Sequence, residues 1–236
     1  NWTQRRRVKG ADVIKLPDSI NLKQAAMVRI NPPTAALMLS DFVDLRPGDW
    51  VIQNVANSAV GKLLIRLAKG RGLRTLNVVR RDSLFGELKA LGADACVVDG
   101  PDLWQRARAL TDNAPIKLGI DAVSGEATGR LGGCVADGGT VCNYGSMTGQ
   151  DPIMNRADVI YRGVILTGFM LGRFLAKRPI EQVRALYAEL ADRVVSGDLN
   201  APVEKIYPIE EIQAALVRAQ QGERTGKILV APNGPV

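Results

Sequence analysis

Residues Asp49 to Arg81 read D-W-V-I-Q-N-V-A-N-S-A-V-G-K-L-L-I-R-L-A-K-G-R-G-L-R-T-L-N-V-V-R-R. Trp50 to Val55 is a short run of strand character, and Asn57-Ser58-Ala59-Val60-Gly61 is a tight turn of small residues. Leu63, Leu64, Leu67 and Ala68 then recur at helical spacing, and Arg74 to Val79 is a second apolar run. Strand, turn, helix and strand in this order make a βαβ unit, the kind that binds dinucleotides. At the start of such a helix the backbone N–H groups have no intrahelical acceptor and the dipole end is positive. A pyrophosphate can therefore be held there without a dedicated basic side chain.

Of the fingerprint G-x-G-x-x-G only Gly61 stands, in the third place, where the helix must pack close to the strand. Asn57 and Ser58 occupy the tight turn, and Ala59 sits where the backbone approaches a ligand. Small polar residues can fold a phosphate turn through their own hydrogen bonds; the competing reading is a βαβ unit with no ligand. The end of the second strand discriminates. Units selective for NAD carry Asp or Glu there, for the ribose 2′-hydroxyl. This chain has Arg80-Arg81-Asp82, with Asp82 placed late for that role. A carboxylate at position 80 would repel a 2′-phosphate, whereas a guanidinium offers it a planar fork. One charge-assisted contact is worth roughly 1.5–3 kcal/mol, about a tenfold to hundredfold preference for NADP(H). The alternative for the pair is a solvated strand end.

A chain of 236 residues with 46% apolar composition suffices for one large α/β domain or one and a half. No apolar run reaches membrane-spanning length and no signal peptide is evident, so a soluble protein is expected. Cys96, Cys134 and Cys142 are odd in number, lack C-x-x-C spacing and read as reduced core thiols. Zero histidines removes the commonest metal ligand and the commonest general base, and no metal site is expected. The net charge of +7 and Arg5-Arg6-Arg7 raise the question of nucleic acid. Aromatic content of 5% and the absence of a recognition motif argue against it. A basic surface suits polyanionic small molecules or an acidic carrier protein equally well.

Upstream, Val8 and Val13 to Asp18 read as two short strands and a turn, with Arg5–Arg7 on the solvated face of an edge strand. Ser19 to Ala26 begins a short helix, and Pro32 and Pro33 set a rigid helix entry. Downstream the chain alternates. Helices are expected over Leu84–Leu91, Leu103–Leu110 and Leu131–Val135, and strands over Ala95–Val98, Lys117–Val123, Thr140–Tyr144 and Val164–Met170. Then come a helix over Ile180–Val195, a strand over Val203–Tyr207, a helix over Ile209–Gln220 and a strand over Thr225–Val230. The rhythm predicts an α/β fold with a doubly wound parallel six-stranded Rossmann sheet and a ligand crevice at the strands' carboxyl ends.

Four pieces carry a family resemblance: I-N-P-P-T-A from Ile30, L-R-P-G-D-W-V-I-Q-N from Leu45, N-S-A-V-G from Asn57 and L-R-T-L-N-V-V-R from Leu73. Together they resemble the zinc-free branch of the medium-chain dehydrogenase/reductase superfamily, and within it the 2-enoyl thioester reductases of the trans-2-enoyl-CoA reductase type. The resemblance covers essentially the whole chain, with Ala59 where the family usually has Gly. It implies remnants of a GroES-like β-rich catalytic domain at both chain ends. Residues 1–30 would be its truncated tail, 31–172 the Rossmann NADP(H)-binding domain, and 173–236 a segment returning to the catalytic domain.

The cofactor implied is NADPH. Its candidate contacts are Asn31, the turn Asn57, Ser58, Ala59, Val60 and Gly61, the pair Arg80 and Arg81, and Lys227 near the carboxyl end. The resemblance places Tyr144-Gly145-Ser146-Met147 and Phe169-Met170-Leu171 on the nicotinamide side. It implies hydride addition to the β-carbon of a 2-enoyl thioester, enolate charge on the thioester oxygen, and a proton for the α-carbon from a tyrosine expected upstream of Asn1. No residue here matches that tyrosine, and neither Tyr144 nor Tyr161 is given its role. The substrate would be an enoyl-CoA or enoyl carrier protein. The sixth strand would pair across a two-fold axis in a homodimer, without nucleic acid or membrane partners. The compartment would be the bacterial cytoplasm, or the mitochondrion in a eukaryote. The alternatives are a zinc-free quinone or carbonyl reductase and a catalytically silent nucleotide-binding module.

Overall fold

The computed structural model describes residues 2–10, 13–222 and 224–234. In chain order the elements begin α1 (Leu22–Val28), α2 (Asn31–Ser40), β1 (Trp50–Gln53), α3 (Ala59–Gly70), β2 (Arg74–Val79) and α4 (Phe85–Ala90). They continue as β3 (Ala95–Val98), α5 (Leu103–Leu110), β4 (Ile116–Asp121), α6 (Glu126–Cys134), β5 (Thr140–Asn143) and α7 (Arg156–Ile160). Last come β6 (Ile165–Gly168), α8 (Leu171–Ala176), α9 (Ile180–Val195), β7 (Val203–Pro208), α10 (Ile212–Gln220) and β8 (Lys227–Ala231). The chain divides into two compact units, residues 34–177 and residues 1–33 with 178–236.

Residues 34–177 are built on one parallel sheet of order β3-β2-β1-β4-β5-β6. This is the doubly wound order expected of a Rossmann unit, and its topological switch lies between β1 and β4. Period-two alternation divides the sheet's side chains between two cores. Trp50, Ile52, Leu76, Val78, Ala95 and Val97 point to the face covered by Leu103, Ala107, Leu131 and Cys134 of α5 and α6. Val79 and Cys96 point the other way, to Ile65 of α3 and Leu88 of α4. Both faces are buried, which is why the strands read as near-continuous apolar runs.

Two short β-branched-poor helices need explanation. In α6, Gly129, Gly132 and the rest of a weak helical sequence survive because the helix packs closely. A Cβ at Gly129 would lie 3.0 Å from the Ile153 carbonyl oxygen, and one at Gly132 would lie 2.6 Å from the Met154 methyl. The helix therefore starts at Glu126, five residues before the Leu131 expected from periodicity. In α4 the entry is a 3-10 turn over Asp82–Leu84, and the helix proper starts at Phe85.

The other unit, residues 1–33 and 178–236, holds α1, α9, α10 and the parallel pair β7–β8. Asn21 caps α1 through its side chain, accepting from the Lys23 and Gln24 amides. The Gln24 carboxamide makes a two-way bond with the Ala201 backbone, 2.9 Å each way. The Tyr187 hydroxyl of α9 donates to the Arg29 carbonyl at 2.8 Å. One expectation is corrected here. Val8 and Val13–Asp18 form no strand among the described residues, so Arg5–Arg7 are exposed but lie on no edge strand. A strand exists only through a partner's ladder. The main-chain bonds described here are local turns, Val13 N–H to the Gly10 carbonyl and Ile20 N–H to the Pro17 carbonyl.

Candidate functional site

The site begins where β1 ends. The Ala56 amide donates to the Val78 carbonyl of β2, and Val55 takes φ 51°, a left-handed conformation that β-branched residues rarely adopt. Ser58 then caps α3, its hydroxyl accepting from the Gly61 amide at 3.1 Å. That leaves the first-turn amides of Ala59 and Val60 without intrahelical acceptors. Gly61 is needed for the approach of helix to turn: a Cβ there would lie 2.5 Å from the Ala56 carbonyl oxygen. The buried Gln53 reinforces the junction, its amide nitrogen donating to the Gly61 carbonyl at 2.9 Å and to Asn77 Oδ1 at 2.8 Å.

Arg80 and Arg81 follow the last residue of β2 directly, and both are exposed. Since β1 and β2 pair in register, Gln53 with Asn77, the arginines and the Ser58 turn leave adjacent strands on the same edge of the sheet.

The loops after β4, β5 and β6 reach that edge as well. Tyr144 follows β5; its amide donates to the Asp121 carbonyl at 2.8 Å and its phenol faces the Ser58 side chain. Burial pushes the phenol up to about 12, against the smaller opposing effect of the Ser58 side chain beside it. The structure thus brings together Ser58 from the helix turn and Tyr144 from the loop past β5. Gly145 lies against Ala122, Ser146 bonds the Gln150 carbonyl through its hydroxyl, and the Met147 side chain is exposed. After β6, Phe169 is buried in an aromatic cluster with Phe42 and Phe174, centroids 6.2 and 4.7 Å away. Met170 is exposed, and Leu171 opens α8. Asn31 and Lys227 belong to the other unit. Asn31 is the first residue of α2, and Lys227 opens β8 with its ammonium lowered by burial and by Arg224.

One group of functional interest escapes the motif reading. Asp121, the last residue of β4, is wholly buried and accepts from the side chains of Asn54, Thr128 and Asn143. An aspartate within an apolar strand, flanked by Asn54 and Asn143 at the ends of its two neighbours, is the signal that was there to be read.

Residues 91–230 match a protein-family model described as zinc-binding dehydrogenase. The chain is 32% identical over 235 residues to the mitochondrial enoyl-[acyl-carrier-protein] reductase of Dictyostelium discoideum, covering 98% of this chain and 67% of that protein. It is 34% identical over 209 residues to the human protein of the same name, covering 86% of this chain and 56% of that one. The chain therefore spans little more than half the length of the human relative. Among solved structures, the mitochondrial 2-enoyl thioester reductase heterodimer of Candida tropicalis superposes with TM-score 0.81 at 22% identity, over 91% of this chain and 63% of that one. A variant of the Etr1p chain, complexed with NADP and crotonyl-CoA, superposes with TM-score 0.80 at 23% identity, over 91% and 63%. The zinc in the family's description does not fit the residues present. The chain has no histidine, its thiols are buried, and no group of three or more metal-ligating side chains occurs among the described residues. With matching sequence over most of its length and the doubly wound sheet, the chain belongs to the zinc-binding dehydrogenase family, within the medium-chain dehydrogenase/reductase superfamily and on its enoyl thioester reductase branch.

Proposed function

We propose that this chain is the nucleotide-binding part of an NADPH-dependent reductase acting on the 2,3 double bond of 2-enoyl thioesters. One observation carries the reading: a capped, glycine-backed helix start and an arginine pair leave adjacent strands on one sheet edge. The residues suit the cofactor. Gly61 lets the start of α3 pack against the Ala56 backbone, which would hold the Ala59 and Val60 amides for a pyrophosphate, and Arg80 and Arg81 would take the 2′-phosphate. Tyr144 to Met147 and Phe169 to Leu171 would border the nicotinamide, with Asn57, Asn31 and Lys227 as further contacts on the strength of the family. Bound there, NADPH would supply a hydride to the β-carbon of the enoyl thioester.

Residues 1–30 and 173–236 are read as parts of a GroES-like catalytic domain, with 31–172 as the nucleotide-binding domain. The substrate is an enoyl-CoA or an acyl carrier protein's thioester, to which a net charge of +7 is suited. The assembly is a homodimer paired along β6, whose Ile165 is exposed at the sheet edge. The compartment is that of the relatives, mitochondrial, or cytoplasmic in a bacterium. Among the described residues no helix is long and apolar enough to cross a membrane.

The test is a titration of NADPH and NADH against the wild type and Arg80→Ala. The wild type should prefer NADPH by about tenfold to hundredfold, and the variant should lose most of that margin. Equal affinities in the wild type would defeat the selectivity argument. NADPH oxidation driven by a short enoyl-CoA, set against a quinone, tests the substrate; quinone turnover alone would replace the thioester.

A further inference from the structure

The carboxylate of Asp121 is fully buried at the topological switch of the sheet and forms no ion pair within 4.0 Å among the described residues, the Arg130 guanidinium acting on it only from farther away. It is satisfied entirely by neutral donors. Oδ1 accepts from Asn54 Nδ2 at 2.5 Å, from the Val123 amide at 2.9 Å and from the Ser124 amide at 3.3 Å. Oδ2 accepts from the Thr128 hydroxyl at 2.6 Å and from Asn143 Nδ2 at 2.9 Å. Those donors come from β1's end, the loop after β4, helix α6 and the end of β5. Burying a carboxylate without a directly bonded counter-ion is costly unless its lone pairs are used. Such a network is kept where it fixes one geometry among several.

The geometry it fixes is unusual. Ser124 and Gly125 both have positive φ, 66° and 60°, and Ser124 is buried. Ser124 is pinned from two sides: its amide donates to Asp121, and its hydroxyl takes a bond from Asn143 Nδ2 at 2.9 Å and gives one to the Gly145 carbonyl at 3.0 Å. Asn143 Nδ2 also donates to that carbonyl, at 3.1 Å. Two further amides, Met147 and Thr148, donate to the Ala122 and Val123 carbonyls at 3.0 and 3.1 Å. The loop from Tyr144 to Thr148 is thus moored to the loop after β4, and Asp121 holds that mooring. Among the described residues neither the Ser58 turn nor Arg80 is hydrogen-bonded to Asp121, Ser124 or Asn143, and only the Tyr144 phenol faces Ser58.

We propose that Asp121 is a positioning residue: through Ser124 and Asn143 it sets the loops after β4 and β5 so that the nicotinamide half of the cofactor, and not its adenosine half, is correctly seated. The proposal rests on the NADPH reading and divides the binding site into two parts that can be probed apart. NADPH occupies both parts, and 2′,5′-ADP occupies the adenosine part alone.

The experiment measures affinity of the 236-residue chain and of Asp121→Asn for both ligands by calorimetry, with the thermal midpoint of each protein as a record of folding. Asn keeps the shape but places an NH₂ where the carboxylate accepted. NADPH should bind about tenfold or more weakly to the variant, with 2′,5′-ADP affinity within about twofold of wild type. A general loosening of the fold would weaken both ligands together. Equal losses for the two ligands, or no loss for either, would overturn the proposal while leaving the cofactor reading intact. A wild type that binds neither ligand would overturn the cofactor reading and the proposal with it. Should Asp121→Asn not fold, Ser124→Ala removes the hydroxyl between Asn143 and Gly145, and the same ratio of ratios decides: a selective loss of NADPH supports the proposal, and a parallel or absent loss overturns it.

Discussion

Burial in the Rossmann unit is written into the proton affinities of single side chains. The Cys134 and Cys142 thiols are pushed up to about 12 from an ordinary 9.0, chiefly because burial penalises the thiolate. Tyr144 rises to about 12 from 10.0 for the same first reason. Each group therefore keeps its proton in the folded chain at a pH where the unfolded chain has released it. Above the ordinary value, rising pH favours the unfolded state. The stabilisation is complete below about pH 9 and is lost up to about 12, each group adding at most about 1.4 kcal/mol per pH unit to the slope. The urea midpoint should be flat from neutral pH to about pH 8 and fall steeply beyond about pH 9. Iodoacetamide at about pH 8.5 should label Cys134 and Cys142 only after unfolding. Labelling of the native protein at the unfolded rate would refute the burial argument. At this scale the sequence was legible where chemistry is local. Ser58 in the tight turn, Gly61 as the close-packing glycine and Arg80 at a strand end all follow from neighbours along the chain; that Ser58 caps α3 shows only in the fold. The Asp121 network was not legible, because Asn54, Asp121 and Asn143 become neighbours only when β1, β4 and β5 pair.

Elements were legible in proportion to how far their apolar pattern exceeds their end effects. β2, β3, α5 and α9 have the bounds that periodicity predicts. α6 was half seen, because its glycines carry no helical signal and its stability comes from packing on residues 153–154. The amino-terminal strands were overread, since alternation in sequence says nothing about whether a ladder partner is present. β6 poses the sharper question. It is an edge strand of the sheet, Ile165 is exposed on it, and Val159, Ile160 and Tyr161 are exposed just before it. An exposed apolar edge is a template for pairing unless something covers it. If a second copy covers it, Ile165→Lys should place a charge in the interface and convert a dimer to a monomer in sedimentation velocity. The thermal midpoint of the monomer should change little beyond the loss of association. A wild type that is monomeric at high micromolar concentration, or a variant that remains dimeric, would rule out this edge as the interface.

Over the whole molecule, binding and chemistry should come apart. The doubly wound sheet brings the Ser58 turn, the arginine pair and the loops after β4 and β5 to one edge by its own topology. On the proposed reading most of the nucleotide's contacts come from residues 34–177, which hold together as one unit, with Asn31 and Lys227 outside it. Reduction of an enoyl thioester asks in addition for a proton at the α-carbon, and the family resemblance assigns that role to none of the tyrosines here. A positioned proton donor is worth about 10²–10⁴-fold in rate. The 236-residue chain should thus bind NADPH, yet oxidise it with a short enoyl-CoA about 10²–10⁴-fold more slowly than the Dictyostelium reductase it resembles. Stopped-flow loss of the reduced-nicotinamide signal, run beside calorimetric affinity, separates the two quantities. Turnover equal to that of the relative would mean that a tyrosine of this chain donates the proton. Tyr144, which already reaches Ser58, and the exposed Tyr161 would be the first to replace with Phe; a rate lost in one of them, with NADPH affinity retained, would identify the donor.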